Sequence, residues 1–497
     1  MTFASRTGIH FMTSHHRRGA GFDQCCRQGT TSPRATELAA TAQPYTVFAS
    51  HMKMPADANN FMSRLWNAIG EFNPASLSKR QRRVLGIVST AGIFNDYDGE
   101  LINLALPQIQ NSLNISAGGL APMVSLIKLG AVIAPFITAQ ADRFGRRRLL
   151  MLTIVGYTIF TGVTAVAWSG LTFAAFRVGA TVFSSAEGSI ALVMLVEEMA
   201  NERRGLAVGL LGALSSLGFG MAALAYSWIN VIPLGWRGLY VFALVPLFLI
   251  VPLRQMLPES VRFERDSSKF REQKILGPFQ ALIHSYPKRF ALVATAMSLS
   301  TFAGTPGGLF QSMYLEHEYH WTPGEVSLLV FAGGLLGICG NAVAGFLSDK
   351  LGRRYVGSFF LFIAPLLGAV FYNTSGAVMA GAWMIELFAN TAASTVLNAY
   401  SVELFPTSHR ATAGSSLTVV NTVGGVLGLL AEPLVYSVVG TTWRAVSLIY
   451  MAGLGAVAVV LVLFPETAGK ELDELSPERY EGRARRRINW RRSKVAS

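Results

Sequence analysis

Apolar stretches of about 20 residues or more recur from residue 84 onward, and they limit what this chain can fold into more than any other feature. An apolar helix of that length crosses the hydrocarbon core of a bilayer and satisfies its backbone hydrogen bonds internally. The stretches lie at residues 84–108, 117–140, 148–168, 172–196, 205–228, 236–256, 289–312, 324–347, 355–374, 377–402, 412–437 and 443–464. The sequence therefore predicts an all-α membrane protein with twelve transmembrane helices, numbered here as spans 1 to 12.

The composition excludes an ordinary soluble domain. Hydrophobic residues make up 51% of the chain and charged residues only 14%, whereas soluble proteins carry about a quarter of their residues as charges. The net charge of +13, from 42 basic and 29 acidic residues, would suggest a nucleic-acid partner in a soluble protein. In a membrane protein it indicates basic cytoplasmic loops that contact anionic lipid, so we expect no nucleic-acid partner.

The charge runs between the spans divide the chain into five segments. They are a disordered cytoplasmic tail at 1–80 with an interfacial helix at 61–71, a first six-helix half at 81–256, a cytoplasmic loop at 257–288, a second six-helix half at 289–468 and a basic cytoplasmic tail at 469–497. The first 60 residues or so fit a transit peptide, a dispensable tail or a start codon placed too early. Because basic residues concentrate in alternate loops, the positive-inside rule predicts that both termini lie in the cytoplasm. We expect the protein in the plasma membrane.

Three charged motifs occur once in each half, at nearly the same offset along the chain. They are Asp142-Arg-Phe-Gly-Arg-Arg and Asp349-Lys-Leu-Gly-Arg-Arg, Glu197 to Arg204 and Glu403 to Arg410, and Pro258-Glu-Ser and Pro465-Glu-Thr. Such repetition predicts two six-helix halves related as parallel repeats. In that architecture the substrate site lies near the bilayer midplane between the halves, and the halves rock to expose it to each side in turn.

These motifs resemble those of the major facilitator superfamily over residues 84–475. The loop after span 8, from Gly345 to Arg354, matches the superfamily's loop motif in full, and the Pro-Glu-Ser and Pro-Glu-Thr ends of spans 6 and 12 resemble the sugar porters. The pair Tyr97-Asp98 and the run Glu403-Leu-Phe-Pro406-Thr407 also resemble proton symporters of aromatic acids, metabolites and phosphate, and their synaptic-vesicle-protein relatives. Spans 7 and 10 lack the glutamine pair and the Gly-Pro-x-Pro-Trp stretch of sugar porters, so the resemblance does not imply a hexose substrate.

The resemblance implies that the repeated charges form paired networks that close the cytoplasmic side of the transporter. The implied gate residues are Asp142, Arg146, Glu197, Arg204 and Glu259 in the first half, and Asp349, Arg353, Glu403, Arg410 and Glu466 in the second. The alternative is that the positive charges only set the topology, but that explains neither the glutamates nor their fixed spacing.

Ionisable residues inside the spans are few, and each costs a few kcal/mol at the bilayer centre unless it is paired or faces water. They are Asp96, Asp98, Glu100, Lys128, Arg177, Glu187, Glu386 and Glu432. On a helical wheel Asp96 and Glu100 share one face of span 1, which predicts that one of them pairs with Lys128. Asp98 lies on another face, which predicts that it looks into the cavity.

The resemblance implies that Asp98 pairs with Arg177 of span 4 and couples transport to protons, with Glu187 as a further acid in the same place as in metabolite and phosphate symporters. A fixed structural ion pair is the alternative. The predicted substrate cavity contains Lys128, Trp383, Glu386 and Asn390.

The sequence and the resemblance together predict a secondary active transporter that couples uptake of a small polar metabolite, an organic acid or a sugar-like compound, to inward protons. Proton-driven export and uniport are the alternatives. We predict no enzyme, cofactor or metal site, because no His-Glu-x-x-His, Cys-x-x-Cys or Gly-x-Ser-x-Gly motif occurs. A receptor without transport activity would not need titratable groups at mid-membrane. We expect a monomer whose partners are the substrate, protons and the lipid bilayer.

Overall fold

The computed structural model describes residues 77–199, 204–244, 277–406 and 409–468. The predicted interfacial helix at 61–71, most of the loop at 257–288 and nearly all of the basic tail at 469–497 lie outside these residues. The helices of the first half are α1 (Lys79–Leu104), α2 (Leu106–Leu113), α3 (Ala117–Thr138), α4 (Ala141–Phe144), α5 (Arg146–Thr164), α6 (Gly170–Glu198), α7 (Arg204–Ser227) and α8 (Trp236–Phe242). Those of the second half are α9 (Gly277–Ser285), α10 (Pro287–Tyr319), α11 (Pro323–Leu351), α12 (Arg353–Phe371), α13 (Gly376–Glu403), α14 (Arg410–Val439), α15 (Thr442–Ala452) and α16 (Leu454–Leu463).

The all-α membrane fold is confirmed, and each predicted span falls on a helix, span 6 being described only to residue 244. In the described ranges seven segments are long and apolar enough to cross a membrane. They lie in α3, α6, α7, α11, α12, α14 and the continuous pair α15–α16. The remaining long helices, α1, α5, α10 and α13, include charged or small polar residues that lower their hydropathy.

The repeat is visible in the backbone. Gly145 ends α4 with φ 94° and ψ 138°, and Gly352 ends α11 with φ 98° and ψ 136°. Only glycine adopts this region without strain. The two loop motifs therefore make the same sharp turn, and each turn starts a new helix with its arginine, Arg146 or Arg353.

Three sets of helix contacts join the two halves. Helix α3 packs on α14, α7 packs on α11, and α10 contacts both α1 and α2. We call the end of the bundle that carries residues 142–148 and 349–354 the motif end, and the end that carries residues 104–117 and 312–323 the far end.

The apolar core is continuous at the far end and divided at the motif end. One cluster of buried residues at the far end draws on both halves and includes Leu106, Tyr226, Phe310 and Tyr372. Near the motif end each half has its own cluster, one around Leu150 and the other around Val396. Apolar burial thus holds the halves together mainly at the far end.

Candidate transport site

Asp98 and Arg177 form a buried ion pair inside the first half. Helix α1 carries Asp98 and α6 carries Arg177, and each side chain is only 4% exposed. The Nη1 atom of Arg177 donates to Asp98 Oδ1 at 2.7 Å and to Oδ2 at 2.9 Å, and Nη2 donates to the Asp98 carbonyl at 3.4 Å. A carboxylate and a guanidinium that neutralise each other can stay charged in the bilayer interior.

Helix α8 closes this pair off from solvent. The guanidinium carbon of Arg177 lies 5.3 Å from the centre of the Tyr240 ring, and that ring packs edge-on against Phe173 and Trp236. The hydroxyl of Tyr97 donates to the carbonyl of Leu239 at 3.1 Å, which ties α1 to α8. Asp98 is thus enclosed by Arg177 and α8 in this structure, and the prediction from the wheel that it faces the cavity stays a prediction.

Glu187 lies further along α6 and is held by α1. Its Oε2 accepts a hydrogen bond of 2.9 Å from Asn95 Nδ2, which also donates to the carbonyl of Ser184 at 3.0 Å. The other carboxyl oxygen of Glu187 is buried and has no hydrogen-bond partner among the described residues. Tyr157 of α5 interacts electrostatically with both Glu187 and Asp98. The structure thus brings the three predicted coupling residues into one buried region of the first half.

Lys128 belongs to a separate cluster. It interacts electrostatically with Glu100 of α1. The Glu100 carboxyl group also accepts a hydrogen bond of 3.0 Å from Asn103 Nδ2. Of the two acids proposed from the wheel, Glu100 is therefore the partner of Lys128. This partner lies in the first half, whereas Trp383, Glu386 and Asn390 lie on α13 of the second half, and the grouping of all four residues in one cavity stays a prediction.

The second half contains a small crevice that is partly open to solvent. Glu386 and Asn390 of α13 line it together with Ser300 and Tyr450. The Glu386 side chain is hydrogen-bonded to Tyr450 and is almost fully buried. Trp383 does not line this crevice: its ring packs on Phe371, with 5.1 Å between the ring centres.

The motif-end charges join neighbouring helices of one half. In the first half Arg146 pairs with Glu197. In the second half Arg353 pairs with Glu403 at 2.7 Å and with Asp349 at 3.2 Å.

Two further arginines act at this end. The guanidinium of Arg410 donates to the carbonyl of Phe405 at 3.1 Å, which fixes the start of α14. Arg80 donates to both carboxyl oxygens of Glu198 at 2.9 and 2.8 Å, and sequence reasoning missed this pair because Arg80 lies in a basic run that reads as a topology signal. Of the other predicted gate residues, Glu259 lies outside the described residues, as do the side chains of Asp142 and Arg204.

Glu466 caps the start of α12. Its carboxylate accepts hydrogen bonds from the backbone N–H groups of Arg353 (2.8 Å), Arg354 (3.2 Å), Thr467 (3.0 Å) and Ala468 (2.9 Å). Burial alone would raise the pKa of Glu466, but these backbone donors outweigh it and hold the pKa below its ordinary value. The negative charge also complements the positive end of the helix dipole. The Pro-Glu-Thr motif and the loop motif therefore form one structural unit.

Sequence reasoning also missed a hydrogen-bonded group at the far end. Gln108 of α2, Tyr226 of α7 and Glu316 of α10 contact one another across the two halves. Glu316 lies beyond the predicted end of span 7 at residue 312, and the three residues share no motif. Only the folded arrangement brings them together.

Repeated helical halves with ionisable residues buried inside the spans are typical of secondary membrane transporters. The sequence profile of the Major Facilitator Superfamily matches residues 88–306 and 290–493, and the chain belongs to this superfamily. It is therefore a multi-pass membrane transporter, as the resemblance of its motifs implied.

The similar proteins are transporters of small molecules. A Bacillus subtilis protein named as a niacin/nicotinamide transporter is 25% identical over 417 residues, which cover 79% of this chain and 98% of that protein. The cis,cis-muconate transport protein of Acinetobacter baylyi is 25% identical over 289 residues, 56% of this chain and 69% of that protein. The crystal structure of a D-xylose-proton symporter has a TM-score of 0.66 at 18% identity and covers 78% of this chain and 99% of that one. The structural likeness establishes the fold.

Proposed function

We propose that this transporter couples the uptake of a small organic acid or a similar polar metabolite to protons that move inward. The observation that carries the proposal is the sealed Asp98–Arg177 pair, with Glu187 nearby. Burying an acid in the membrane interior costs free energy, and the coupling of transport to protons gives these acids a function. Uniport would need none of them.

The mechanism follows from the two states of the pair. While Asp98 and Arg177 touch, the guanidinium neutralises the charge of the carboxylate. A movement of α1 against α6 that separates them leaves Asp98 without its counter-ion, so it takes up a proton. Arg177 stays charged and becomes available to Glu187 or to an anionic substrate. Proton binding thus follows the conformational cycle.

The arrangement of the core supports alternating access. Because the halves share an apolar core at the far end and have separate cores at the motif end, parting at the motif end costs less burial. We propose that the motif end faces the cytoplasm, as the basic residues favour, so that this state is closed to the outside. The motif-end ion pairs then act mainly as braces that keep each half rigid while the halves rock.

The substrate class is proposed from the relatives and from the crevice. The relatives named for niacin or nicotinamide and for muconate indicate small carboxylates and amides. Glu386, Asn390 and Tyr450 offer acid, amide and hydroxyl groups among apolar neighbours, which suits such a compound. We further propose that the protein acts as a monomer in the plasma membrane, since one chain carries both halves.

Uptake into proteoliposomes tests the proposal. Purified protein is given labelled nicotinate, nicotinamide, muconate or xylose, with an imposed proton gradient of either direction or none. We expect accumulation of a carboxylate or amide only when protons flow in the same direction. Accumulation driven by the opposite gradient would indicate export, and equilibration that ignores the gradient would indicate uniport. A melting-temperature screen of the same compounds separates binding from transport.

A further inference from the structure

The far-end group of Gln108, Tyr226 and Glu316 has a feature that the proposed coupling site does not use. Gln108 lies in α2 and Tyr226 in α7, both in the first half, whereas Glu316 lies near the end of α10 in the second. Beside them, the hydroxyl of Ser312 donates to the carbonyl of Asn103 at 2.6 Å. The group therefore lies on the seam where the halves share their core, and it must break when the far end opens.

The hydrogen bonds within the group involve each of the three side chains. The Nε2 of Gln108 donates to the hydroxyl of Tyr226 at 2.9 Å and to Oε2 of Glu316 at 3.0 Å. The Tyr226 hydroxyl lies 3.1 Å from Oε1 of Gln108 and also within hydrogen-bond distance of Oε1 of Glu316. Tyr226 itself is fully buried.

A count of protons shows what this geometry requires. The tyrosine hydroxyl has one proton but two oxygen acceptors within reach, Gln108 Oε1 and Glu316 Oε1. If Glu316 is ionised, one of the two contacts has no proton. If Glu316 is protonated, its O–H donates to Tyr226 and Tyr226 donates to Gln108, so every contact is a hydrogen bond. The closed group is therefore completed by one additional proton.

The charges around the group do not supply a substitute for that proton. Within the described ranges the partners of Glu316 are the neutral Gln108 and Tyr226. Of the other charged or titratable groups at this end, His317 and His320 are exposed and lie one and four residues after Glu316 along the chain, and Arg444 lies near the start of α15. The following groups are bonded elsewhere. Arg237 donates to Ser112 at 2.9 Å, Glu318 accepts from Trp443 at 2.5 Å, Glu325 caps α11 through Thr322, Glu100 bonds Asn103, and Glu432 bonds Thr442.

We propose that Glu316, held by Gln108 and Tyr226, is a proton-binding site that is occupied while the halves are joined at the far end and is emptied when they part. Parting exposes Glu316 to water, where an ordinary glutamate is ionised near neutral pH. Protons on that side then favour closure. The inference goes beyond the proposed coupling pair and does not depend on Asp98.

Distance measurements between spin labels test the proposal in the full-length chain in nanodiscs. Labels are placed at Asn111→Cys in α2 and Val438→Cys in α14, two exposed far-end positions in opposite halves. The native cysteines Cys25, Cys26 and Cys339 are replaced by serine. We expect the long-distance population to grow as the pH rises from about 5 to about 8, by up to about tenfold per pH unit for one linked proton.

Variants separate a proton site from a merely structural contact. Glu316→Gln, which mimics the protonated acid, should stay in the short-distance state at every pH. The matched control Glu318→Gln, an acid two residues away that bonds Trp443, should keep the pH response. Asp98→Asn should also keep the pH response. A failure of the coupling proposal at Asp98 can therefore be told apart from a failure of the proposal for Glu316. The proposal would be overturned if the distances between the labels did not change with pH in the protein that keeps Glu316. It would also be overturned if Glu316→Gln kept the full pH response.

Discussion

The two halves repeat the same charged motifs, but the acids buried within their helices have different partners. In the first half Asp98 is neutralised by Arg177. In the second half Glu386 is hydrogen-bonded to Tyr450 and lines a crevice. Counting along the offset from Glu197 to Glu403, Arg177 corresponds to Trp383, whose ring packs on an aromatic neighbour instead of supplying a charge.

The difference indicates that the two halves have different functions. A buried ion pair suits a step in which a carboxylate gains and loses a proton. The free energy of the charged carboxylate rises steeply when its partner moves away. A crevice lined by carboxyl, amide and hydroxyl groups suits recognition of a ligand. We therefore propose that the first half couples transport to protons and that the crevice of the second half contacts the substrate.

The largest effect is expected from Arg177→Ala. Removing the guanidinium strands a buried carboxylate, which costs about 3–5 kcal/mol, and it also removes the group freed during coupling. Uptake should be abolished and the melting temperature of the purified protein should fall by several degrees. Arg237→Ala is the matched control, since Arg237 stacks on Trp236 near the far end and bonds Ser112. Equal losses in the two variants would argue against a special role for the buried pair.

A smaller and different effect is expected from Glu386→Gln. The amide keeps the shape of the side chain but changes its hydrogen bonding, which is worth about 0.5–1.5 kcal/mol. The KM of uptake should rise about three- to tenfold, while accumulation still follows the proton gradient. Trp383→Phe, outside the crevice, should leave the KM unchanged. Loss of gradient-driven accumulation in Glu386→Gln would break the comparison, because coupling would then extend to the second half.

Glu100 and Lys128 provide an intermediate case, a charged pair of the first half that lies outside the sealed site. Each single variant, Glu100→Gln or Lys128→Met, leaves one uncompensated charge, whereas the double variant leaves none. Their interaction energy in a double-mutant cycle of melting experiments should be about 1 kcal/mol. Losses that simply add would mean that the two residues do not pair.

The smallest effect is expected at the motif end, from Glu466→Gln. The pKa of Glu466 is lowered in the folded protein, so the stability that its carboxylate contributes is present above the ordinary glutamate pKa and is lost as the pH falls through the folded value. The variant should therefore melt slightly below the wild type near neutral pH, and the two should converge in acid. A constant difference at every pH would mean that the charge of Glu466 does not stabilise the start of α12.

Hydropathy predicted the helices well, and it failed where polar contacts extend them. Span 7 was predicted to end at residue 312, but α10 continues to Tyr319, because Gln311, Ser312 and Glu316 are buried or bonded at the seam with the first half. A hydropathy window has no information about a partner helix. The gate motifs were recognised from their repetition, since spacing is visible in the sequence.

The orientation of the buried charges was harder to predict. The wheel gives only the angle between residues of one helix, so it correctly separated Asp98 from Glu100 but could not show which face meets α6 and α8. The contact of Asp98 with Arg177 followed from resemblance rather than from periodicity. Gln108, Tyr226 and Glu316 were missed because they lie far apart in the sequence and none carries a motif.

The most direct test of the account is Asp98→Asn in proteoliposomes, assayed for accumulation and for exchange with the same substrate. The asparagine mimics a permanently protonated carrier, so accumulation driven by a proton gradient should vanish and its pH dependence should flatten. Exchange of labelled for unlabelled substrate needs no net proton movement and should survive, which also shows that the variant is folded. If Asp98→Asn accumulates substrate with a normal pH dependence, the first-half pair is not the coupling site, and Glu187 or Asp96 becomes the candidate.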